Sequence, residues 1–246
     1  MPYASKKMTD YYKISLEILL NLFKGAGIDH WENWIAKDIE LWESEKNTSH
    51  HTGAFGGMGS INDLSVGGTD TIGVWKDKLF EITKTLSWSL AKGKVKTAPT
   101  EIGFYNYGSN VLSGWKCRKC GHAILDNTAI EFYLSTLVLP KIFVEFIIAN
   151  KLSKIVDLNE IIERPEIERK RIEIQSLISS NGINFSEGNQ WLWTCPKCES
   201  KDVCVYRWKI KDNGKTLIES DDNISQHTTM AIVNTGFWSK IKSLFN

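Results

Sequence analysis

The residues of this chain best suited to chemistry are four cysteines in two CxxC pairs. Cys117 and Cys120 lie in Trp-Lys-Cys-Arg-Lys-Cys-Gly-His, and Cys195 and Cys198 in Trp-Thr-Cys-Pro-Lys-Cys-Glu-Ser. Two residues between the thiols let one tight turn offer both sulfurs to a single ion. Two such turns complete a tetrahedral shell with Zn–S bonds of about 2.3 Å. The pattern implies one structural Zn2+. Four thiolates fill the shell and leave no position for a catalytic water. Thiol–disulfide exchange would need only one CxxC, in a βαβ setting that this sequence lacks. Gly121 follows the first pair where the turn needs a permissive backbone, and Pro196 stiffens the second. His122 is expected to cap the knuckle rather than to ligate. Cys204, in an alternating strand pattern, is expected to be a small buried hydrophobe.

The second chemically suggestive stretch is His-His-Thr-Gly-Ala-Phe-Gly-Gly-Met-Gly-Ser-Ile-Asn-Asp-Leu, residues 50–64. Clustered glycines can turn backbone N–H groups inward to hold an anion, and His50, His51 and Asp63 add titratable groups. His50, His51, Gly56, Gly57, Gly59, Asn62 and Asp63 are therefore the candidate ligand- or partner-binding residues. In an enzymatic reading, His50 or His51 is the base and Asp63 orients it. No Lys follows the glycines as a Walker loop requires, and a helix rather than a strand precedes them. The plainer reading is a tight turn in which Gly56, Gly57 and Gly59 let the chain pass close to a Trp-rich hairpin, with Asn62 or Asp63 capping the next element.

The elements that must position these residues are written in the apolar periodicity. Asp10 or Thr9 can cap a helix carrying Tyr11, Ile14, Ile18, Leu19, Leu22 and Phe23, with Gly25 and Gly27 as stops. A second helix after Asp29 places Trp31, Trp34, Ile35, Ile39 and Trp42 on one broad face, completing an αα-hairpin. A third helix is expected over about 75–91. The basic, Pro-containing stretch 92–100 reads as a linker. A short β-rich piece, 102–115, leads into the first knuckle, and residues 126–181 are helical, with Pro165 well placed to open a helix. Residues 203–210 alternate as a strand, Asp212-Asn213-Gly214 signals a turn, and Thr216–Glu219 returns as its hairpin partner. Residues 236–245 read as a short amphipathic helix whose apolar side is expected to dock on the protein's own core, with a membrane-surface role as the minor reading.

Ordinary composition supports a folded soluble chain: 42% hydrophobic, 24% charged, with ten Trp. The net charge of +1 excludes a global field directed at polyanions. The apolar stretch 129–149 contains Glu131, Lys141, Glu145 and Pro140, which argues for a buried helical hairpin or kinked helix and against a membrane span. No export signal is visible at the N-terminus, so a cytoplasmic protein is expected.

The two knuckles resemble the zinc-ribbon fold group, although 74 residues lie between Cys120 and Cys195, where a compact ribbon has far fewer. The resemblance implies a helical insertion between the knuckles. Residues 11–91, with Phe-Gly-Gly-Met-Gly-Ser at 55–60 and Asn-Asp-Leu at 62–64, look like a family of small uncharacterised bacterial proteins without an assigned activity. The expected class is α+β. A helical domain with a Gly-rich loop occupies 1–92, and a zinc-ribbon-like β domain with a helical insertion at 126–181 occupies 100–246. Three functional readings stand. The first is a non-enzymatic, zinc-stabilised protein-interaction module, of the accessory or immunity type found in bacterial conflict and defence systems. The second is a nucleic-acid-binding ribbon using Lys116, Arg118, Lys119 and Lys197. The third is an enzyme or ligand site at the glycine-rich loop.

Overall fold

The computed structural model describes residues 10–93, 111–126, 128–149, 157–186, 194–211 and 215–219, a mixture of helix and sheet. The linker at 94–100, the β-rich piece before 111, the turn at 212–214, Trp193 and the helix expected at 236–245 lie outside the described residues. The chain divides into two compact units. The first comprises 1–68, 72–105 and 137–161; the second comprises 69–71, 106–136 and 162–246.

The first unit is helical. α1 (Tyr11–Ala26) begins where Asp10 accepts a hydrogen bond from the Lys13 N–H at 3.0 Å, and it ends on Gly27 in the left-handed conformation. It buries Leu16, Ile18, Leu19 and Phe23 completely. α2 (Asp29–Glu45) returns along it and buries Trp31, Ile35 and Asp38. α3 (Ser49–Gly53) and a single 3-10 turn (Ile61–Asp63) lie within the stretch that lacks helical periodicity. α4 (Thr71–Ala91) starts four residues earlier than its apolar stripe indicates and buries Trp75, Leu79, Phe80 and Leu86.

Close backbone approach occurs in this unit, but not at the glycines expected to provide it. Added Cβ atoms at Gly56, Gly57 or Gly59 would meet nothing within 4 Å, so these residues do not pass against the hairpin. Gly57 and Gly59 are required instead by their positive φ of 82° and 79°. The tight passage is at Gly67 and Gly73: a Cβ on Gly73 would stand 2.3 Å from the Gly68 backbone. Asp77 fixes that crossing by accepting from the Val66 and Gly67 N–H groups at 2.7 and 2.9 Å.

The second unit is built on a five-stranded sheet in the order β3-β2-β1-β4-β5. β1 (Val111–Cys117) and β2 (Ala123–Asp126) form an antiparallel hairpin with the first knuckle at its turn. β4 (Val203–Lys211) pairs antiparallel with β1 and with β5 (Thr216–Glu219). β3 (Ile183–Ser186) joins β2 in parallel. α5 (Thr128–Ile148) follows β2 directly, with Asp126 accepting from the Thr128 N–H at 2.7 Å. α6 (Asn159–Ile162), up to residue 161, and the second half of α5, from residue 137, belong to the first unit, whereas α7 (Pro165–Ser180) belongs to the second. Arg171 on α7 makes two hydrogen bonds to the buried carboxylate of Glu131 on α5, at 2.6 and 3.2 Å. One sheet face is closed: Leu112, Leu125, Trp208 and Ile210 are buried. A Cβ on Gly114 would stand 2.4 Å from the Ile124 carbonyl oxygen, 2.8 Å from the Leu125 side chain and 3.0 Å from the Trp208 ring.

Candidate metal centre and glycine-rich loop

The β1–β4 register pairs Cys117 with Val203, which brings the segment just before β4 beside the first knuckle despite the long chain between them. The Sγ atoms of Cys117, Cys120, Cys195 and Cys198 all lie within 4.8 Å of one another. The short contacts run across the knuckles: Cys117 to Cys198 at 3.7 Å and Cys120 to Cys195 at 3.6 Å. A tetrahedron of sulfurs about 2.3 Å from a central ion has edges of about 3.8 Å. The donor set therefore has the size and chemistry to hold a metal ion.

The two knuckles share one backbone design. Cys117 N–H donates to the His122 carbonyl and Cys195 N–H to the Ser200 carbonyl, each at 2.8 Å. Gly121 N–H returns to the Cys117 carbonyl at 2.8 Å and Glu199 N–H to the Cys195 carbonyl at 2.9 Å. The fourth residue after each first cysteine is left-handed: Gly121 at φ 74° and Glu199 at φ 55°. Burial opposes ionisation of Cys195, yet the Lys197 and Cys198 backbone N–H groups and neighbouring thiols bring it down to about 7. Cys198 is pushed up to about 12: the Ser200 backbone N–H favours its thiolate, but burial and the three nearby thiols outweigh it. Four sulfurs this close cannot all carry charge without a cation among them. His122 stays outside the sulfur cluster; its carbonyl closes the knuckle and its ring Nδ1 lies 3.5 Å from Asn184. Cys204 is buried, with its Sγ 3.5 Å from the Lys116 carbonyl.

Of the knuckle cations, Lys116 is paired with Glu219 and lies over the Tyr206 ring. Arg118 faces Asp202 at 3.9 Å. Lys119 and Lys197 are exposed.

In the first unit the two histidines are not directed at Asp63. Both face Asp38, whose side chain is fully buried: His50 Nδ1 stands 2.6 Å from one carboxylate oxygen and His51 Nδ1 2.8 Å from the other. His51 Nε2 reaches Ser87 Oγ at 3.1 Å, and the same hydroxyl lies 2.9 Å from the Lys84 carbonyl. Tyr12 and Phe55 pack edge-on against the His51 ring, and Trp34 stacks on His50 at 4.3 Å. Desolvation, then the negative charges of Asp38 and Asp10, raise Tyr12 far above the usual phenol range. The order carboxylate–imidazole–hydroxyl is that of an acyl-transfer triad. Here, however, Ser87 is 0% and His51 1% exposed, so no substrate carbonyl can reach the hydroxyl. The arrangement can brace α2, α3 and α4 against one another.

Asp63 serves the loop itself, accepting from the Gly59 N–H at 2.7 Å. Asn62 donates to the Phe55 carbonyl at 3.1 Å, and Ser60, not Asn62 or Asp63, caps the 3-10 turn. Ile61 N–H closes the loop on the Ala54 carbonyl at 3.0 Å. Met58, at the tip, is fully exposed. Asp38, Ser87 and Met58 are the residues that sequence reasoning missed. Asp38 had a signal: it falls on the buried stripe of α2 with Trp31 and Ile35.

A family model described as a domain of unknown function (DUF6966) matches residues 24–71, a stretch holding Asp38, both histidines and the loop. No curated protein and no solved structure matches the chain. No described helix is long and apolar enough to cross a membrane.

Proposed function

We propose that this chain is a non-enzymatic, zinc-stabilised interaction protein that engages a protein partner through the loop at 55–60. The carrying observation is Met58: a flexible, polarisable side chain stands fully exposed on a loop whose backbone is held by Asp63, Asn62 and the Ile61–Ala54 bond. An exposed Met on a pinned loop suits insertion into an apolar socket at little ordering cost. Zinc is the ion proposed for the site, on the strength of four cysteine sulfurs at tetrahedral spacing. The non-enzymatic reading is supported by the closure of His51 and Ser87 and by the full thiolate shell. By association with small uncharacterised bacterial proteins, which residues 11–91 resemble, the role proposed is that of an accessory or immunity-type protein of a bacterial conflict or defence system, in the cytoplasm.

The test is co-purification from the native host. A defined partner is expected with the wild-type chain and is expected to be lost with Met58→Asp, while melting temperature and zinc content stay unchanged. Retention of the partner by Met58→Asp, together with its loss in Lys119→Glu/Lys197→Glu, would move recognition to the knuckles and refute this reading.

A further inference from the structure

The four sulfurs of the metal centre are not equivalent. Cys117 and Cys195, the first of each pair, are 1% and 2% exposed, whereas Cys120 is exposed and Cys198 partly so. Exposed lysines, Lys119 and Lys197, directly precede the two outward cysteines. Accessible sulfur beside positive charge is the setting of a reactive thiolate, and a bound cation keeps each ligand in that form. Each outward sulfur faces the inward sulfur of the other knuckle: Cys120 to Cys195 at 3.6 Å and Cys198 to Cys117 at 3.7 Å. The strands hold them there. The β1–β4 ladder runs up to Cys117 opposite Val203, and the Arg118 N–H extends it to the Asp202 carbonyl at 3.0 Å. Joining two sulfurs across the knuckles needs a closure of about 1.6 Å, which two separate turns meet by tilting toward each other. Joining two sulfurs within one knuckle would instead bend a single turn already closed by its own backbone hydrogen bonds.

We propose that this centre is a peroxide-sensitive site, at which oxidation expels the ion and leaves disulfides running across the knuckles, Cys120 to Cys195 and Cys117 to Cys198. The inference rests on the zinc reading above. The Cys120 thiolate attacks one peroxide oxygen: an S–O bond forms, the O–O bond breaks and hydroxide leaves. The sulfur is oxidised by two electrons to the sulfenic acid, and the peroxide is reduced. The Cys195 thiolate then attacks Cys120 Sγ; the S–S bond forms, the S–O bond breaks and a second hydroxide leaves. A second peroxide takes Cys198 and Cys117 through the same two steps. With its thiolates consumed, the ion passes to solvent. Both bonds tie the same two segments that the ion would hold, so oxidation keeps the β1–β4 pairing closed where chelation loosens it. A reversible disulfide of this kind in a reducing compartment serves redox sensing rather than permanent structure.

The test treats the purified full chain, with its zinc, with hydrogen peroxide, while a chromogenic chelator too weak to strip the untreated chain follows the metal. Complete release of the zinc is expected, with rebinding after dithiothreitol and fresh zinc are added. Trypsin separates all four cysteines, because Arg118 and Lys119 lie between the first two and Lys197 between the second two. Peptide mapping without reduction is expected to join the fragment beginning at Cys120 to the fragment ending at Lys197. Amide protection along β1 and β4 is expected to survive peroxide and to fall on chelation. Cys204→Ser is expected to change none of these results. Zinc retained under peroxide, bonds within a knuckle, a bond to Cys204, or sulfinic acids in place of disulfides would each overturn the proposal and leave the zinc reading intact. A chain that carries no zinc before oxidation would end both.

Discussion

Asp38→Ala is the sharpest perturbation of the first unit. The wild-type carboxylate is fully buried and receives two histidine N–H groups, at 2.6 and 2.8 Å. Hydrogen bonds to a carboxylate contribute about 1.5–3 kcal/mol each. The His50 bond counts toward the low end, because that ring is 34% exposed and regains water. His51 is sealed, so its Nδ1–H would be left without an acceptor, at a further cost of about 1–3 kcal/mol. At their low ends these contributions add up to about 4 kcal/mol. A loss of about 4 kcal/mol lowers the melting temperature by roughly 10 °C in a chain of this size. Urea unfolding followed by far-ultraviolet circular dichroism measures it. His51→Ala and the double variant complete a cycle, with an expected coupling of about 2 kcal/mol. A loss under about 1 kcal/mol for Asp38→Ala, or a coupling near zero, would refute the view that this carboxylate braces α2 to α3 and α4.

Elemental analysis of purified wild-type chain should find one zinc per chain, and Cys198→Ser should abolish it, because three sulfurs and a poor hydroxyl donor do not hold the ion; undiminished metal would contradict the assigned shell. Glu199→Gly should raise stability by about 1 kcal/mol in chemical denaturation, since a side chain at φ 55° is strained where the matching knuckle position is already Gly121. Gly73→Ala should destabilise by at least about 2 kcal/mol, because its Cβ would collide with the Gly68 backbone rather than with a movable side chain; Gly56→Ala, which meets open space, should cost under about 0.5 kcal/mol in the same assay.

The elements were largely legible because apolar spacing is a local signal. The α1–α2 hairpin, the β4–β5 pair and the Pro165 start of α7 all follow from it. The convergence of four sulfurs was legible for a different reason: CxxC turns carry their own geometry, and two of them imply a shared ion whatever lies between. Tertiary choices were not legible. Nothing local says that His50 and His51 turn to Asp38, twelve and thirteen residues back, and not forward to Asp63. Nor does composition separate glycines that serve a positive φ, such as Gly57 and Gly59, from glycines that serve a backbone crossing, such as Gly67 and Gly73. Those roles depend on the groups packed opposite, which a single sequence does not record.

The two units hold their shapes by different means, and the reason lies in their cores. The first buries large apolar side chains, Phe23, Trp75, Phe80 and Leu86 among them, and can tolerate a polar network at Asp38 because Asp38, His50, His51 and Ser87 are hydrogen-bonded to one another. The second closes only one face of a sheet whose two outer strands are four residues long, and small cores of that kind are commonly stapled by a metal. Its knuckles carry their own turn hydrogen bonds, so each can form alone; what a bound ion would add is the link between chain segments 74 residues apart. Closing a loop that long costs entropy that the β1–β4 pairing must otherwise meet unaided. Chelation should therefore loosen the Cys117–Val203 end of that pairing first and leave the protection of the α1–α2 hairpin intact, a contrast that amide hydrogen exchange resolves. Uniform loss of protection across both units on metal removal would mean that the ion supports more of the chain than its own sheet.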